Sequence, residues 1–492
     1  MKKTMTLLVS LFALHYAAYT QSLKWAKQMG GNDVDEARSV AVDNAGNVYT
    51  TGYFKDTADF DPGPGTYQLI AKGTQDIFVS KLDASGNFVW AKQFKGTGRG
   101  SCVTLDMAGN IYTTGYFEDT VDFDPGVGTY NLVSKGESDA YVVKLSSAGN
   151  LVWAKEAGGK GYDFGYSVVW STAGVVTTGI FEDSADFYPG AGTLNLTALN
   201  SDIFVFKLDA QGNYGWVKQF RGISASLASP EAMTVDPNGN LYITGYFGGN
   251  VDFDPGTLTF SMSDLGSGDM FVAKLDALGG FVWAKAIGGP NYNIGKAIAI
   301  DADRNVYTTG YIEGTCDFNP AAATFNLTSA GGRDAFVCKL DASGNFAWAK
   351  HFPGTGMSEG RGIAVDDKGK VFSVGYFEGT VDFDPDAATS NLVGIGYWDI
   401  YISKLEATTG KFVWAKHLAG TNVNEGNAIA INSTGDVYTA GHFGGVMDFD
   451  PDAGVTNLTA AFSDIFVQKL SQCNAYYTLL RDTTRQSYWW LY

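Results

Sequence analysis

A chain of 492 residues with a net charge of −18, 14% aromatics, 62 glycines and only 17% charged residues has the composition of many short strands joined by glycine turns. Its acidic balance excludes a phosphate-backbone partner and suits divalent cations or plain solubility, so no nucleic-acid binding is expected. Beyond residue 20 no 18-residue apolar run occurs, so no membrane insertion is expected. None of Cys102, Cys316, Cys338 and Cys473 forms a CxxC pair, which disfavours a zinc ribbon or a thioredoxin-like site.

Lys2 and Lys3 precede a mostly apolar stretch over residues 5–18, and Ala18 and Thr20 put small residues just before Gln21. This pattern predicts a cleaved signal peptide over residues 1–20 and a secreted or cell-surface protein. No Cys stands at the cleavage point, so no lipid anchor is expected. Residues 23–28, around Trp25, read as a lone strand. A unit then follows with strands at residues 39–43, Val48–Phe54, Asp76–Leu82 and residues 88–93. Asn-Ala-Gly-Asn (44–47) and Ala-Ser-Gly-Asn (84–87) make its tight turns. Between the second and third strands, Asp59-Phe-Asp61-Pro-Gly63 and the extended residues 66–71 read as a protruding hairpin.

Three markers repeat this unit seven times, at a spacing of about 65 residues. Trp-(Ala/Val)-Lys begins at Trp25, Trp90, Trp153, Trp216, Trp283, Trp348 and Trp414. Asp-Phe-x-Pro begins at Asp59, Asp122, Asp186, Asp252, Asp317, Asp382 and Asp448. Asp-x-aromatic-(Val/Ile)-x-Lys-Leu begins at Asp76, Asp139, Asp202, Asp269, Asp334, Asp399 and Asp464. Four-stranded units at a fixed period, with no amphipathic helix, predict an all-β, seven-bladed β-propeller over residues 21–470. The chain enters in a fourth strand and finishes its seventh repeat in a third. The N-terminal strand is therefore expected to complete the last blade and close the ring. A glycine inside each second strand, such as Gly52, predicts a close approach there, by the blade Trp or by a neighbouring blade's backbone.

The unit DIFVSKLDASGNFVWAKQF, preceded by SVAVDNAGNVYTTGYF, resembles the SBBP-type β-propeller repeat of secreted bacterial proteins, over roughly residues 22–470. The resemblance implies an extracellular or surface-associated propeller, often within Bacteroidetes-like multidomain proteins, and implies no catalytic residues. LEATTGKFVW (405–414) is similar to the tryptophan-docking motif of quinoprotein propellers. That likeness implies that Trp414 and its six equivalents staple adjacent blades; no quinone site is placed on this chain. The tail, residues 471–492, leaves the repeat and resembles the opening of a PKD-like domain, as in a truncated form of a longer surface protein.

The long connections share one face, which is the expected binding face. There the carboxylates pair as Asp59 with Asp61, Asp122 with Asp124, Asp252 with Asp254, Asp382 with Asp384, and Asp448 with Asp450. Grouped oxygen donors of this kind suit calcium as a cofactor. They suit turn capping as well, and the absence of an EF-hand ligand series favours capping. Tyr188 and Asn319 replace the second Asp in repeats three and five. Asp76 and Lys81 recur in every unit and read as blade-building residues. Glu36, Glu359 and Glu425 break the symmetry in repeats one, six and seven. Contiguous in a closed ring, they would make an acidic sector near the channel mouth for a cation or a basic partner. His351 and His417 lie on outer strands, too far apart to share zinc, and no HExxH, G-x-S-x-G or P-loop occurs. Cys316 and Cys338, in one repeat, suit either a bridge or buried thiols.

These features point to a non-catalytic binding or scaffold module for an extracellular protein or glycan, monomeric or part of a larger protein. Tyr67, Tyr130 and Tyr292 are candidate stacking residues on its hairpin face. An extracellular propeller enzyme is the alternative, and it would need a clustered, asymmetric set of His, Arg, Tyr or carboxylate side chains around the channel.

Overall fold

The computed structural model describes residues 12–482 and 487–491, apart from 172, 224–225 and 387, with side chains from 21 to 471. The side chains of the expected signal peptide, and those of the tail from residue 472, lie outside the described residues. Every long element is a β-strand, and no helix among the described residues is long and apolar enough to cross a membrane.

In the first repeat, Glu36–Val42 pairs antiparallel with Val48–Phe54, which pairs with Asp76–Leu82, which pairs with Phe88–Leu105. The last of these runs on past residue 93 to become the first strand of the second repeat. The tight turns form as their sequences require. Asp43 Oδ1 accepts the backbone N–H groups of Ala45 and Asn47, both at 2.9 Å, and Gly46 takes φ +82°. All seven residues of Val48–Phe54 are buried, polar ones included, because this strand has a neighbouring sheet on each face. Its threonines find partners: Thr51 Oγ1 donates to the Phe78 carbonyl at 2.7 Å.

The apolar core lies between adjacent repeats. Tyr49, Ile77 and Val79 of the first pack with Ile111, Tyr141 and Val143 of the second. Tyr438, Ile465 and Val467 of the last pack with Ala37, Val48 and Phe78 of the first. The last repeat takes its fourth strand from the N-terminus. Phe12–Gly31 pairs antiparallel with Asn457–Asp482, placing Leu23 opposite Leu470 and Met29 opposite Ile465.

Two devices join each repeat to the next. The first is the tryptophan. Trp25, Trp153 and Trp348 each donate Nε1–H to the carbonyl of Ala84, Ala210 and Ala407, one repeat on, at 3.2 Å. The Trp25 ring covers Gly86, where a Cβ would stand 2.9 Å from it, so that turn needs glycine for space as well as for φ. Trp216, Trp283 and Trp414 bury Nε1 with no acceptor among the described residues, so packing alone docks them. The second device is the hairpin. Thr57–Asp59 pairs with Gln68–Ile70, and Asp59 also pairs with Gly30 at the end of the preceding fourth strand. The same step recurs as Lys95 with Asp122, Gly158 with Asp186, Arg221 with Asp252, Gly288 with Asp317, Gly354 with Val381 and Ala419 with Asp448.

The second-strand glycines have a different cause from the one expected. A Cβ on Gly52 would run into the carbonyl of Glu36 in its own sheet, and not into a Trp or a neighbouring blade. Gly115, Gly179, Gly245, Gly310, Gly375 and Gly441 meet the equivalent carbonyl. The reason is a bulge in the first strand, described below. Gly52→Val is therefore expected to cost about 1–3 kcal/mol or more. Urea unfolding of the variant checks this; a midpoint equal to the parent's would remove the steric argument.

Candidate functional site

In every repeat the first strand carries a bulge whose extra residue stands two places after that crowded carbonyl. Register shifts between Ala37 and Ser39, between Gly100 and Cys102, and between Gly165 and Ser167 leave Arg38, Ser101 and Tyr166 without a cross-strand partner. The later repeats do the same at Glu231, Lys296, Arg361 and Asn427. A bulge re-aims its extra side chain, and all seven of these line a single cavity of about 460 Å³. Arg99, Tyr116 and Phe164 complete much of the wall.

The charges in this wall are ordered. Arg361 Nε lies 3.0 Å from Glu359 Oε1, and its Nη2 lies 3.3 Å from Glu425 Oε2. Burial alone would lower the Arg361 guanidinium; Glu359 and Glu425 outweigh it and raise it. Tyr376 donates to Glu359 at 3.0 Å. Arg38 pairs with Glu36 at 2.8 Å, and Lys296 with Glu231 at 2.9 Å, from neighbouring repeats. Burial pushes the His442 ring below its ordinary value despite the nearby Glu36 and Glu425, so it is neutral at pH 7. Asn427 links the last repeat to the first by donating to the Ala37 carbonyl at 2.9 Å. Arg99 stands apart: it lies 4.5 Å over the Tyr53 ring and reaches only Gln75, at 3.4 Å, with its Nε buried and without an acceptor.

Glu36, Glu359 and Glu425 thus do come together, through Arg361 and around His442. Each is bound to an arginine, so they back the cavity wall and do not form an open acidic sector. The residues that sequence reasoning passed over are those two places later: Arg38, Arg361 and Asn427. The signal was present as a position that reads Arg, Ser, Tyr, Glu, Lys, Arg and Asn through the seven units.

The hairpin carboxylates act as caps of their own turns. Asp59 Oδ1 accepts from the N–H groups of Asp61 at 3.0 Å and Tyr67 at 2.8 Å, and Asp61 Oδ1 accepts from Gly63 at 2.9 Å. In the second repeat Asp122 caps Asp124 and Tyr130, and Asp124 Oδ1 accepts from Gly126 at 2.8 Å. In the fourth, Asp252 caps Asp254 and Phe260, and Asp254 Oδ1 accepts from Gly256 at 2.8 Å. In the sixth, Asp382 caps Asp384 and Ser390, and Asp384 Oδ1 accepts from the Asp386 N–H at 3.0 Å. In the seventh, Asp448 caps Asp450 and Thr456, and Asp450 Oδ1 accepts from the Asp452 N–H at 3.0 Å. Asp186 keeps its two bonds where Tyr188 replaces the second Asp. No group of three or more His, Cys, Asp or Glu side chains among the described residues is arranged to hold a metal ion. Of the two roles open to Asp61, Asp124, Asp254, Asp384 and Asp450, and to the Asp two places before each, turn capping is the one these bonds display. Each carboxylate is aimed at backbone donors of its own loop, and a lone pair of Asp side chains is too few for calcium.

The repeated third-strand Asp and the histidines have one shared role. Buried Asp76 accepts from the N–H groups of Lys72 and Gly73 and from Gln93. His417 takes the glutamine's place on Asp399, at 2.8 Å, and His351 faces Asp334 at 3.7 Å. Lys81 Nζ sits 4.9 Å over the Tyr49 ring, a cation–π contact that recurs in other repeats, as at Lys144 over Tyr112 and Lys339 over Tyr307. Cys316 and Cys338 are buried free thiols.

A family model described as the SBBP beta-propeller repeat matches residues 24–53, 215–250 and 282–315. These three stretches carry the SBBP beta-propeller repeat. Each matched piece of this propeller-repeat protein runs from a docking tryptophan on to the second strand of the next repeat. An uncharacterized WD repeat-containing protein of Acanthamoeba polyphaga mimivirus is 26% identical over 433 residues, covering 75% of this chain and 31% of the relative. The regulatory protein FlaEY of Caulobacter vibrioides is 22% identical over 426 residues, covering 79% and 41%. The chain therefore spans well under half the length of these curated relatives. Among solved structures, the Neurospora crassa Pan2 WD40 domain is similar at 8% identity and a TM-score of 0.42, covering 88% of each chain. A europium-containing methanol dehydrogenase is similar at 13% identity and a TM-score of 0.36, covering 88% of this chain and 81% of that one.

Because the Asp pairs already accept backbone donors, calcium is expected to leave the melting temperature unchanged, whereas Asp59→Ala costs about 1 kcal/mol. Thermal melts with calcium and with a chelator check both; a calcium-dependent rise would reassign the pairs as ligands. Burial raises Asp139, Asp269, Asp334 and Asp464 to about 6, above the ordinary 3.8. Between those values the folded chain binds protons that the unfolded chain does not, so this contribution is lost as pH rises through 6. Melting temperature is expected to be higher at pH 5.5 than at pH 7.5; the reverse slope would contradict it.

Proposed function

We propose that the seven repeats close into one seven-bladed ring of four-stranded blades, with residues 21–31 as the last blade's fourth strand. This ring, exported by the N-terminal signal and secreted or held at the cell surface, works as a non-catalytic binding module for a protein or glycan. The observation that carries the reading is the division of labour in the repeats. Residues shared by all seven build sheets, staples and caps. The seven that differ, one per repeat from Arg38 to Asn427, converge on one cavity. Closure is supported by the run of hairpin steps, which includes Gly30 with Asp59, and by the Trp25 bond to Ala84.

A second reading has an observation of its own. Arg38, Arg99, Arg361, Glu231 and Tyr166 form the kind of asymmetric set that an extracellular propeller hydrolase or lyase needs. It ranks second because Glu231, the carboxylate in the wall, is tied to Lys296 and is not a free base.

Deleting residues 21–31 is expected to abolish the cooperative melt of the parent, and an unchanged melt would refute closure. Glycan and protein arrays run beside hydrolysis and lyase assays are expected to give binding without turnover. Tyr166→Ala should weaken that binding by about tenfold or more, a loss of roughly 1.4 kcal/mol, without moving the melting temperature. Turnover, or binding indifferent to Tyr166, would overturn the proposal.

A further inference from the structure

Three of the four cations in the cavity wall hold a carboxylate in direct contact. Arg38 is matched by Glu36, Lys296 by Glu231, and Arg361 by Glu359 and Glu425. Among the ion pairs of the described residues Arg99 has no carboxylate within 4.0 Å, and its buried Nε has no acceptor. It stacks on Tyr53 at 4.5 Å, and Arg38 lies over the same ring at 6.0 Å. Two guanidinium groups thus share one aromatic ring at one side of the cavity, and that of Arg99 has no carboxylate in direct contact among the described residues. A planar guanidinium fork matches a carboxylate in a bidentate grip.

The wall beside these arginines is aromatic. Tyr116, which pairs across the sheet with Arg99, meets the Phe164 ring at 4.7 Å, and Tyr166 follows from the next bulge. Such faces receive the flat C–H side of a ring, while hydroxyl groups find Ser101, Asn427 and the Lys296–Glu231 pair around the remaining wall. The Asn427 Oδ1 is itself buried without a donor. A cavity of about 460 Å³ has room for one or two sugar rings.

We propose that this cavity binds an acidic sugar, with Arg99 and Arg38 holding its carboxylate and Tyr116, Phe164 and Tyr166 flanking its ring. The assignment rests on the binding-module reading above and gives it a ligand class.

The test is calorimetric titration of the full chain with oligomers of D-galacturonate and D-glucuronate. Matched oligomers of galactose and glucose, and inorganic phosphate, serve as comparisons. The acids are expected to bind at least about tenfold tighter than their neutral counterparts, the scale of one charge-assisted hydrogen bond. Binding should weaken as salt is raised. Arg99→Gln should remove the preference for acids while leaving the melting temperature in place. Equal binding of neutral sugars, tighter binding of phosphate, no binding of the acids, or acid binding unaffected by Arg99→Gln would each overturn the assignment. A protein or neutral glycan whose binding needs Tyr166 would overturn the acidic-sugar assignment and leave the cavity as the binding site. A ligand indifferent to Tyr166 would remove the cavity reading as well.

Discussion

One irregularity in hydrogen-bond register organises this molecule. In each repeat the first strand carries an extra residue, and the carbonyl two residues before it crowds the second strand. Only glycine leaves room for that carbonyl, which accounts for Gly52 and its six equivalents. The same step turns the extra residue out of the sheet and into the cavity. A fixed backbone defect thus supplies seven positions at which the side chain is free to differ, because none of them is needed to pair or to fill the core.

The rest of the unit is committed to holding repeats together. The docking tryptophan reaches a turn carbonyl one repeat on, and the hairpin strand pairs with the previous fourth strand. Apolar packing between sheets is continuous from one repeat to the next, including from the last to the first. Buried carboxylates such as Asp76 and Asp399 gather loop N–H groups, so their repetition has a structural cause. The hairpin carboxylates, from Asp61 and Asp124 to Asp450, are spent in the same way on their own turns. This is why the repeated charges carry no visible chemistry, and why the differing ones call for a functional account.

Much of the fold was legible in the sequence because its signals are local and repeated. Val48–Phe54 and Asp76–Leu82 fall where alternation and turn residues put them, and residues 23–28 lie in a strand that pairs with Asn457–Asp482. The first strand was read as 39–43 but runs Glu36–Val42, since the bulge at Arg38 breaks the two-residue alternation that marks a strand. For the same reason the glycines were assigned to the wrong neighbour. The site was legible only in outline. Glu36, Glu359 and Glu425 marked the right repeats, yet the wall is made by residues two places later, which the bulge turns inward. Composition could not show that each glutamate is neutralised by an arginine, because that pairing depends on which side chains share a face.

The convergence of the bulge residues is the claim on which the functional account stands. It is tested most directly by paired cysteines at Ser101→Cys and Lys296→Cys, far apart in the chain, with Cys102→Ser removing the half-buried native thiol. Labelling one position with a bulky thiol reagent is predicted to slow labelling of the other strongly, since both open into the same cavity of about 460 Å³. Independent labelling of the two at full rate would contradict the account.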